Sequence, residues 1–174
     1  ICENFTYVVG EFTLFPAGST HSDVATYLMN TVMPTLPAGT EMEFVAGQFV
    51  VVMFPDKNPP YPRSYSIASA PTEKGFIEIT FKKEGVFTQR LSEIKEGDEL
   101  IINGPAGHFT FDERIKEDLV LIAGGTGIAP FRGMINYALN KNVPNNICLI
   151  LSVKTPEDLL YKNEIKKWQA NKKI

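Results

Sequence analysis

The stretch LVLIAGGTGIAP, residues 119–130, decides how this chain is read. The continuous apolar run Leu119 to Ala123 has the pattern of a strand buried on both faces of a parallel sheet. Glycines follow at 124, 125 and 127, and apolar residues then recur with helical period at Ile128, Phe131, Ile135, Ala138 and Leu139. A strand that ends in a glycine turn and opens a helix brings main-chain N–H groups close to a ligand. Gly124, Gly125 and Gly127 permit that approach, and Pro130 suits a helix first turn. Against the dinucleotide fingerprint G-x-G-x-x-G the run reads Gly125-Thr126-Gly127-Ile128-Ala129-Pro130, with proline in the third glycine position. The acid expected after the next strand is absent, and Lys154 occupies that region. The motif points to a dinucleotide phosphate without saying which.

Downstream, Ile147 to Val153 reads as a second buried strand and Glu157 to Lys167 as a second helix, with Tyr161, Ile165 and Trp168 on its inner face. That β-α-β-α order opens a doubly wound sheet. Two parallel strands with two helices cannot cover both faces or protect both edges. The expectation is a partial α/β domain, either because the chain is a fragment or because its missing strands come from elsewhere.

Upstream the pattern is all-β. Apolar runs stand at EFTLF (11–15), VATYLM (24–29), GQFVVVMF (47–54), RSYSIAS (63–69), GFIEITFK (75–82) and DELIIN (98–103). Turn chemistry separates them at Pro34, Pro37 and Gly39, at Asp56 to Pro62, at Pro71 to Gly75, and at Gly97-Asp98. Short strands with such punctuation predict a small antiparallel β-barrel or sandwich. One short helix is expected among them, with Thr88 as N-cap, Leu91 and Ile94 on one face and Gly97 as its stop. The change of pattern divides the chain into residues 1–114, the β-barrel, and residues 115–174, the partial α/β domain.

Composition narrows the function. The 174 residues are 44% hydrophobic and 21% charged, an ordinary globular balance, with a net charge of −3 that argues against nucleic acid as a partner. Cys2 and Cys148 are too few for a disulfide framework or a thiolate metal site, and Cys148, inside ICLIL, reads as a buried small hydrophobe. His21 and His108 have no ligand partner at metal-site spacing, so no metal is expected. No apolar run reaches membrane-spanning length, and the expected location is cytoplasmic.

Two further motifs carry chemistry. In YPRSYSIASAP (61–71), Pro59, Pro60 and Pro62 deny ladder donors before Arg63, and Arg63 and Tyr65 then share one strand face. A guanidinium fork beside a flat ring suits a phosphorylated aromatic ligand, although the same residues also make an ordinary exposed strand. In KKEGVFTQRL (82–91), Gly85 precedes a helix whose first turn includes Phe87, Thr88 and Gln89. Its free N–H groups suit a pyrophosphate, or simply belong to a routine capped helix.

Taken in order, these motifs resemble the ferredoxin–NADP reductase family of flavoprotein reductases. The matching residues are Gly47-Gln48-Phe49, Arg63-Ser64-Tyr65-Ser66, Gly85-Val86-Phe87-Thr88, Gly97-Asp98, Gly104-Pro105-Ala106-Gly107, Ala123 to Pro130, and Leu159-Leu160-Tyr161-Lys162-Asn163-Glu164, spanning about residues 11 to 168. The resemblance implies a flavin-binding antiparallel β-barrel followed by a pyridine-nucleotide domain. It implies that Arg63 pairs with a flavin phosphate, that Tyr65 stacks near the isoalloxazine, and that Ser66 sits by flavin N5. Strict strand alternation turns Ser66 away from Tyr65, so a bend or an end-on contact is needed there. Further flavin contacts are implied at Thr80, Phe81 and Lys82 and at the helix start from Gly85 through Val86 and Phe87 to Thr88. Gly124, Gly125 and Gly127 would hold the nucleotide, and Thr126 would lie where nicotinamide meets flavin. The family's later strands, with a nicotinamide-proximal cysteine motif, have no counterpart here, so flavin binding is the firmer implication.

The expected function is an FAD-dependent NAD(P)H oxidoreductase, with FAD expected over FMN and NAD(P)H as substrate. A hydride would reach flavin N5, and electrons would leave singly to a redox partner such as a ferredoxin or an oxygenase component. The alternative is a flavin-binding electron-transfer or regulatory subunit that does not bind NAD(P)H; a plain β-barrel binding module is the third reading. Lys57, Lys74, Lys82, Lys83, Arg90 and Lys95 form either a docking face for an acidic partner or a solvated surface.

Overall fold

A computed structural model describes residues 4–9, 29–32, 34–35, 41–171 and 174. The first part contains β1 (Asn4–Val9), β2 (Met29–Val32), β3 (Pro34–Thr35), β4 (Phe49–Met53), β5 (Arg63–Ser66), β6 (Ile79–Lys82) and β7 (Glu99–Ala106), with α1 (Val86–Leu91) between β6 and β7. One antiparallel sheet has the order β3-β1-β7-β4-β5, and β2 pairs with β6 in a second. The expected antiparallel part is present; among the described residues its strands form two antiparallel sheets, joined by a bridge between Ile67 and Ile79, and no ladder closes them into a barrel. The strand expected at 11–15, most of that at 24–29, and Cys2 and His21 lie outside the described residues.

Alternation along the strands builds the first core. Val50 and Val52 of β4 and Leu100 and Ile102 of β7 turn inward to meet Ile77, Ile79 and Phe81, and Phe87 and Leu91 of α1 close the cluster. The reach of β7 exceeds expectation, because it continues through Gly104 and Pro105 to Ala106. Its register against β4 shifts between Phe49 and Val51, where Pro105 has no N–H to offer the ladder.

Helix α1 starts earlier than expected. Gly85, not Thr88, is its N-cap. Thr88 lies inside the first turn, where its Oγ1 accepts the Glu84 N–H at 2.7 Å and donates to the Gly85 carbonyl at 3.2 Å. The helix ends at Leu91, and Gly97 belongs to a separate turn in which the Asp98 N–H meets the Lys95 carbonyl at 3.0 Å. Thr88→Ala removes this reach-back contact, and chemical denaturation should record a loss of about 0.5–2 kcal/mol.

In the second part β8 (Leu119–Gly124) and β9 (Ile147–Ser152) pair in parallel, and α2 (Ile128–Asn140) and α3 (Lys162–Gln169) pack against them. The helical period of α2 places Ile128, Phe131, Ile135 and Ala138 in a second core with Ala123, Ile147 and Trp168. Burial on both strand faces did not follow: Val120, Ile122 and Ile150 are 61%, 69% and 51% exposed. Cys148 shares that open face and is exposed, contrary to its expected burial. The inward residues of both helices join one cluster, so among the described residues no layer covers the opposite face.

The last helix is also shorter than expected. Thr155 and Asp158 form a capping box around a single 3₁₀ turn at Pro156–Asp158. Leu159 then turns extended, and Tyr161 takes a left-handed conformation at φ 56° before α3 begins. Tyr161 is therefore ahead of the helix and reaches toward β6.

Candidate functional site

Strand β5 is the edge of the larger sheet, and its register sets Arg63 opposite Val52 and Tyr65 opposite Val50. Both side chains converge on Phe87 of α1. The Arg63 guanidinium carbon lies 5.8 Å from that ring's centroid, and the Tyr65 ring lies 6.3 Å from it and 6.1 Å from Phe81. Arg63 is exposed and donates to the carbonyls of Pro62 at 3.1 Å and Tyr61 at 3.4 Å. Among the described residues no carboxylate pairs with it. Burial pushes the Tyr65 phenol up to about 12 against the opposing charge of Arg63, so it stays neutral at physiological pH.

Ser66 is the last residue of β5, and just after it the chain passes from the larger sheet toward β6. The Ile67 N–H still donates to Gln48 on the β4 side at 2.9 Å, while Ile67 bridges Ile79 and the Ala68 N–H reaches the Glu78 carbonyl at 2.7 Å. Ser66 thus occupies the step between the sheets, where strict alternation ends.

The remaining β-side residues divide. Phe81 points into the first core, whereas Thr80 Oγ1 is hydrogen-bonded to the Tyr161 hydroxyl. Lys82 pairs with Glu84 at 2.9 Å. Val86 is 70% exposed at the tip of α1, and the first intrahelical bond runs from the Gln89 N–H to Gly85. The N–H groups of Val86, Phe87 and Thr88 consequently precede the helical ladder. Of the basic residues considered as a docking face, Lys74, Lys82 and Arg90 pair with Glu41, Glu84 and Asp56.

The glycine motif forms a 3₁₀ turn over Gly125–Gly127 that joins β8 to α2 and packs against β6. A Cβ built at Gly124, Gly125 or Gly127 would meet nothing within 4 Å, so the main chain here borders open space. Thr126 sits half-buried in the turn. The two motifs that stand far apart in sequence are therefore separated by one strand, β6.

A polar network beside that strand escaped the sequence reading. Glu78 and Thr80 alternate with the core residues Ile77, Ile79 and Phe81, a pattern that ordinarily turns polar side chains to water. Here both are buried, Glu78 against Arg132 of α2 and Thr80 against Tyr161. Arg132 binds Glu78 at 2.7 Å, Glu164 at 3.0 Å and the Ala68 carbonyl at 2.9 Å, with its guanidinium 4.9 Å from the Tyr161 ring centroid. The Tyr161 hydroxyl also donates to Glu78 at 3.3 Å. Burial pushes the Glu78 carboxyl up to about 7, with Arg132 opposing that shift. The available signal was Arg132 itself: it falls at i+4 from Ile128, on the apolar stripe of α2.

An antiparallel unit offering an unpaired guanidinium and aromatic rings, set beside a strand–glycine turn–helix, defines a two-part nucleotide-binding module. The chain belongs to the ferredoxin–NADP reductase family, with residues 19–111 matching the oxidoreductase FAD-binding domain and residues 121–174 the oxidoreductase NAD-binding domain. It is 35% identical over 126 residues to a flavohemoprotein of Bacillus subtilis (strain 168), covering 71% of this chain and 31% of the relative. Identity to terephthalate 1,2-dioxygenase reductase component 2 of Comamonas sp is 31% over 136 residues, 77% of this chain and 40% of that one. The crystal structure of the Amycolatopsis cytochrome P450 reductase GcoB aligns with a TM-score of 0.76 at 25% identity, covering 95% of this chain and 48% of that chain. The chain spans less than half the length of each. The family fold explains the two-part architecture: an antiparallel FAD-binding part precedes a partial doubly wound NAD-binding part. Among the described residues no helix is long and apolar enough to cross a membrane.

Proposed function

We propose that this chain is the flavin-and-nicotinamide module of an NAD(P)H-dependent flavoprotein reductase that passes electrons to a protein partner. The observation that carries this reading is the approach of the Gly125–Gly127 turn to β6, beside the strand that presents Arg63 and Tyr65. Bound FAD would supply the chemistry, accepting a hydride from NAD(P)H at N5 and releasing electrons one at a time. Arg63 would hold a flavin phosphate with its exposed guanidinium fork, and the N–H groups of Val86, Phe87 and Thr88 would add donors from the helix tip. Tyr65 supplies a neutral ring for stacking. The main chain of Thr80, Phe81 and Lys82 lines the flavin, since the Thr80 and Phe81 side chains are engaged elsewhere. Ser66 would orient the flavin edge and Thr126 the nicotinamide. Gly124, Gly125 and Gly127 let the nucleotide approach the main chain.

The functional division falls at 114/115, supported by two separate hydrophobic clusters, although Ala46 joins Phe111 in the second. The proposed electron acceptor is a protein such as a ferredoxin or an oxygenase component, and the proposed location is cytoplasmic. Visible spectroscopy of the purified protein with added FAD tests the reading: a bound flavin spectrum should bleach on anaerobic addition of NADH or NADPH. A colourless protein that takes up no FAD overturns it. The bare face of β8 and β9 favours a second reading, a flavin-holding electron-transfer or regulatory subunit. In that case the flavin binds but stays yellow with both nucleotides.

A further inference from the structure

Arg132 joins α2 to parts of the chain that are remote from it in sequence: the strand connection where the Ala68 N–H meets the Glu78 carbonyl, and α3. It lies one helical turn beyond the Gly125–Gly127 turn, within α2. Its guanidinium binds Glu78, next to β6, the Ala68 carbonyl just after β5, and Glu164 of α3. The side chain is only 10% exposed and Glu78 only 6%. Glu164 is further fixed by Asn136 at 3.2 Å, and Asn136 accepts the Trp168 indole N–H at 2.9 Å. The helix is also pressed close to this strand connection, since a Cβ on Gly133 would stand 2.8 Å from the Ser69 carbonyl oxygen. Three directed contacts on a planar fork restrict rotation and sliding of α2, which apolar packing alone leaves soft.

We propose that Arg132 is a positioning residue: through Glu78, Ala68 and Glu164 it sets the Gly125–Gly127 turn against β6 and so fixes the nicotinamide side of the site relative to the flavin side. This rests on the proposed reductase function for its consequence, but its structural content concerns the apoprotein alone. The hydrogen bonds and ion pairs of Arg132 run to Glu78, Glu164 and the Ala68 carbonyl. A lysine keeps the charge yet cannot span the three partners, and Glu78→Gln keeps shape and a hydrogen-bonding oxygen while removing one charge.

The test is hydrogen exchange on the apoprotein, comparing Arg132→Lys, Glu78→Gln and the milder Glu164→Gln with the parent. The expected result is at least tenfold faster exchange at residues 124–129 and 78–82, with residues 49–53 and 86–91 within twofold of the parent. In the FAD-loaded protein, FAD affinity should stay within twofold while the anaerobic flavin-reduction rate falls at least tenfold, with little change in the apparent KM for NAD(P)H. Unchanged exchange in the turn overturns the proposal, as does a uniform increase along the whole chain, which marks a stabilising contact only. Should Arg132→Lys fail to fold, Glu164→Gln carries the same comparison, because Glu164 is partly exposed. If the parent takes up FAD yet resists NAD(P)H, the functional reading fails while the exchange result still decides the role of Arg132.

Discussion

Arg63→Ala should weaken FAD binding by about 2–5 kcal/mol, the range for removing one member of a desolvated charge pair. At 1.4 kcal/mol per decade this is roughly a 30-fold to several-thousand-fold rise in Kd. The argument is electrostatic. Arg63 projects from the edge strand and lies over the Phe87 ring, and among the described residues it has carbonyl partners and no carboxylate, whereas Arg90, Arg114 and Arg132 each have one. A flavin phosphate would supply the missing anion. Because the side chain is exposed, its removal should leave the unfolding midpoint nearly unchanged, separating a binding loss from a folding loss. Arg63→Lys should fall between, since it keeps the charge and loses the fork. Fluorescence titration of FAD into apoprotein measures all three, and an unaltered Kd in the alanine variant would place the phosphate elsewhere.

Gly47→Ala should lower the free energy of unfolding by about 2–5 kcal/mol, combining about 1–2 for a left-handed backbone with about 1–3 for overpacking. Gly47 has φ 102° and is buried in the turn where the Gln48 N–H meets the Val45 carbonyl at 3.0 Å. A methyl there would overlap the Phe109 carbonyl oxygen and the terminal methyl of Met134. Met134 can swing away; the carbonyl can move only with its whole segment. Urea denaturation gives the value directly. Gly75→Ala is the control, because Gly75 has φ 87° with nothing within 4 Å of a Cβ. It should show the backbone cost without the overlap, and equal losses at both positions would remove overpacking from the explanation.

Local pattern carried the architecture. The 2.0-residue alternation of FVVVM and the 3.6-residue period from Ile128 to Ala138 each followed from side chains that must leave water on one side of their element. The errors came where a neighbour decided the outcome. Burial of Val120, Ile122, Cys148 and Ile150 required a second covering layer, which an apolar run cannot guarantee. Likewise the helix expected from Glu157 begins at Lys162, because the Thr155–Asp158 box closes a short turn and Tyr161 swings toward β6.

For the site, spacing within each motif was legible: Arg63 and Tyr65 share a face, and the glycines lie between a strand and a helix. These are properties of a few consecutive residues. The separation of the two motifs by a single strand was not legible, nor was the conversion of Glu78 and Arg132 into a buried pair. Those depend on how one unit packs on the other, and a charged side chain becomes buried only through partners brought from elsewhere in the chain. The sequence alone determined strands β4 to β9 and the chemical character of both motifs, but not β1 or the strand at Pro34–Thr35, where a turn was expected. The placing of the two motifs on either side of β6 belongs to the tertiary structure, because only long-range packing brings segments so distant in sequence together.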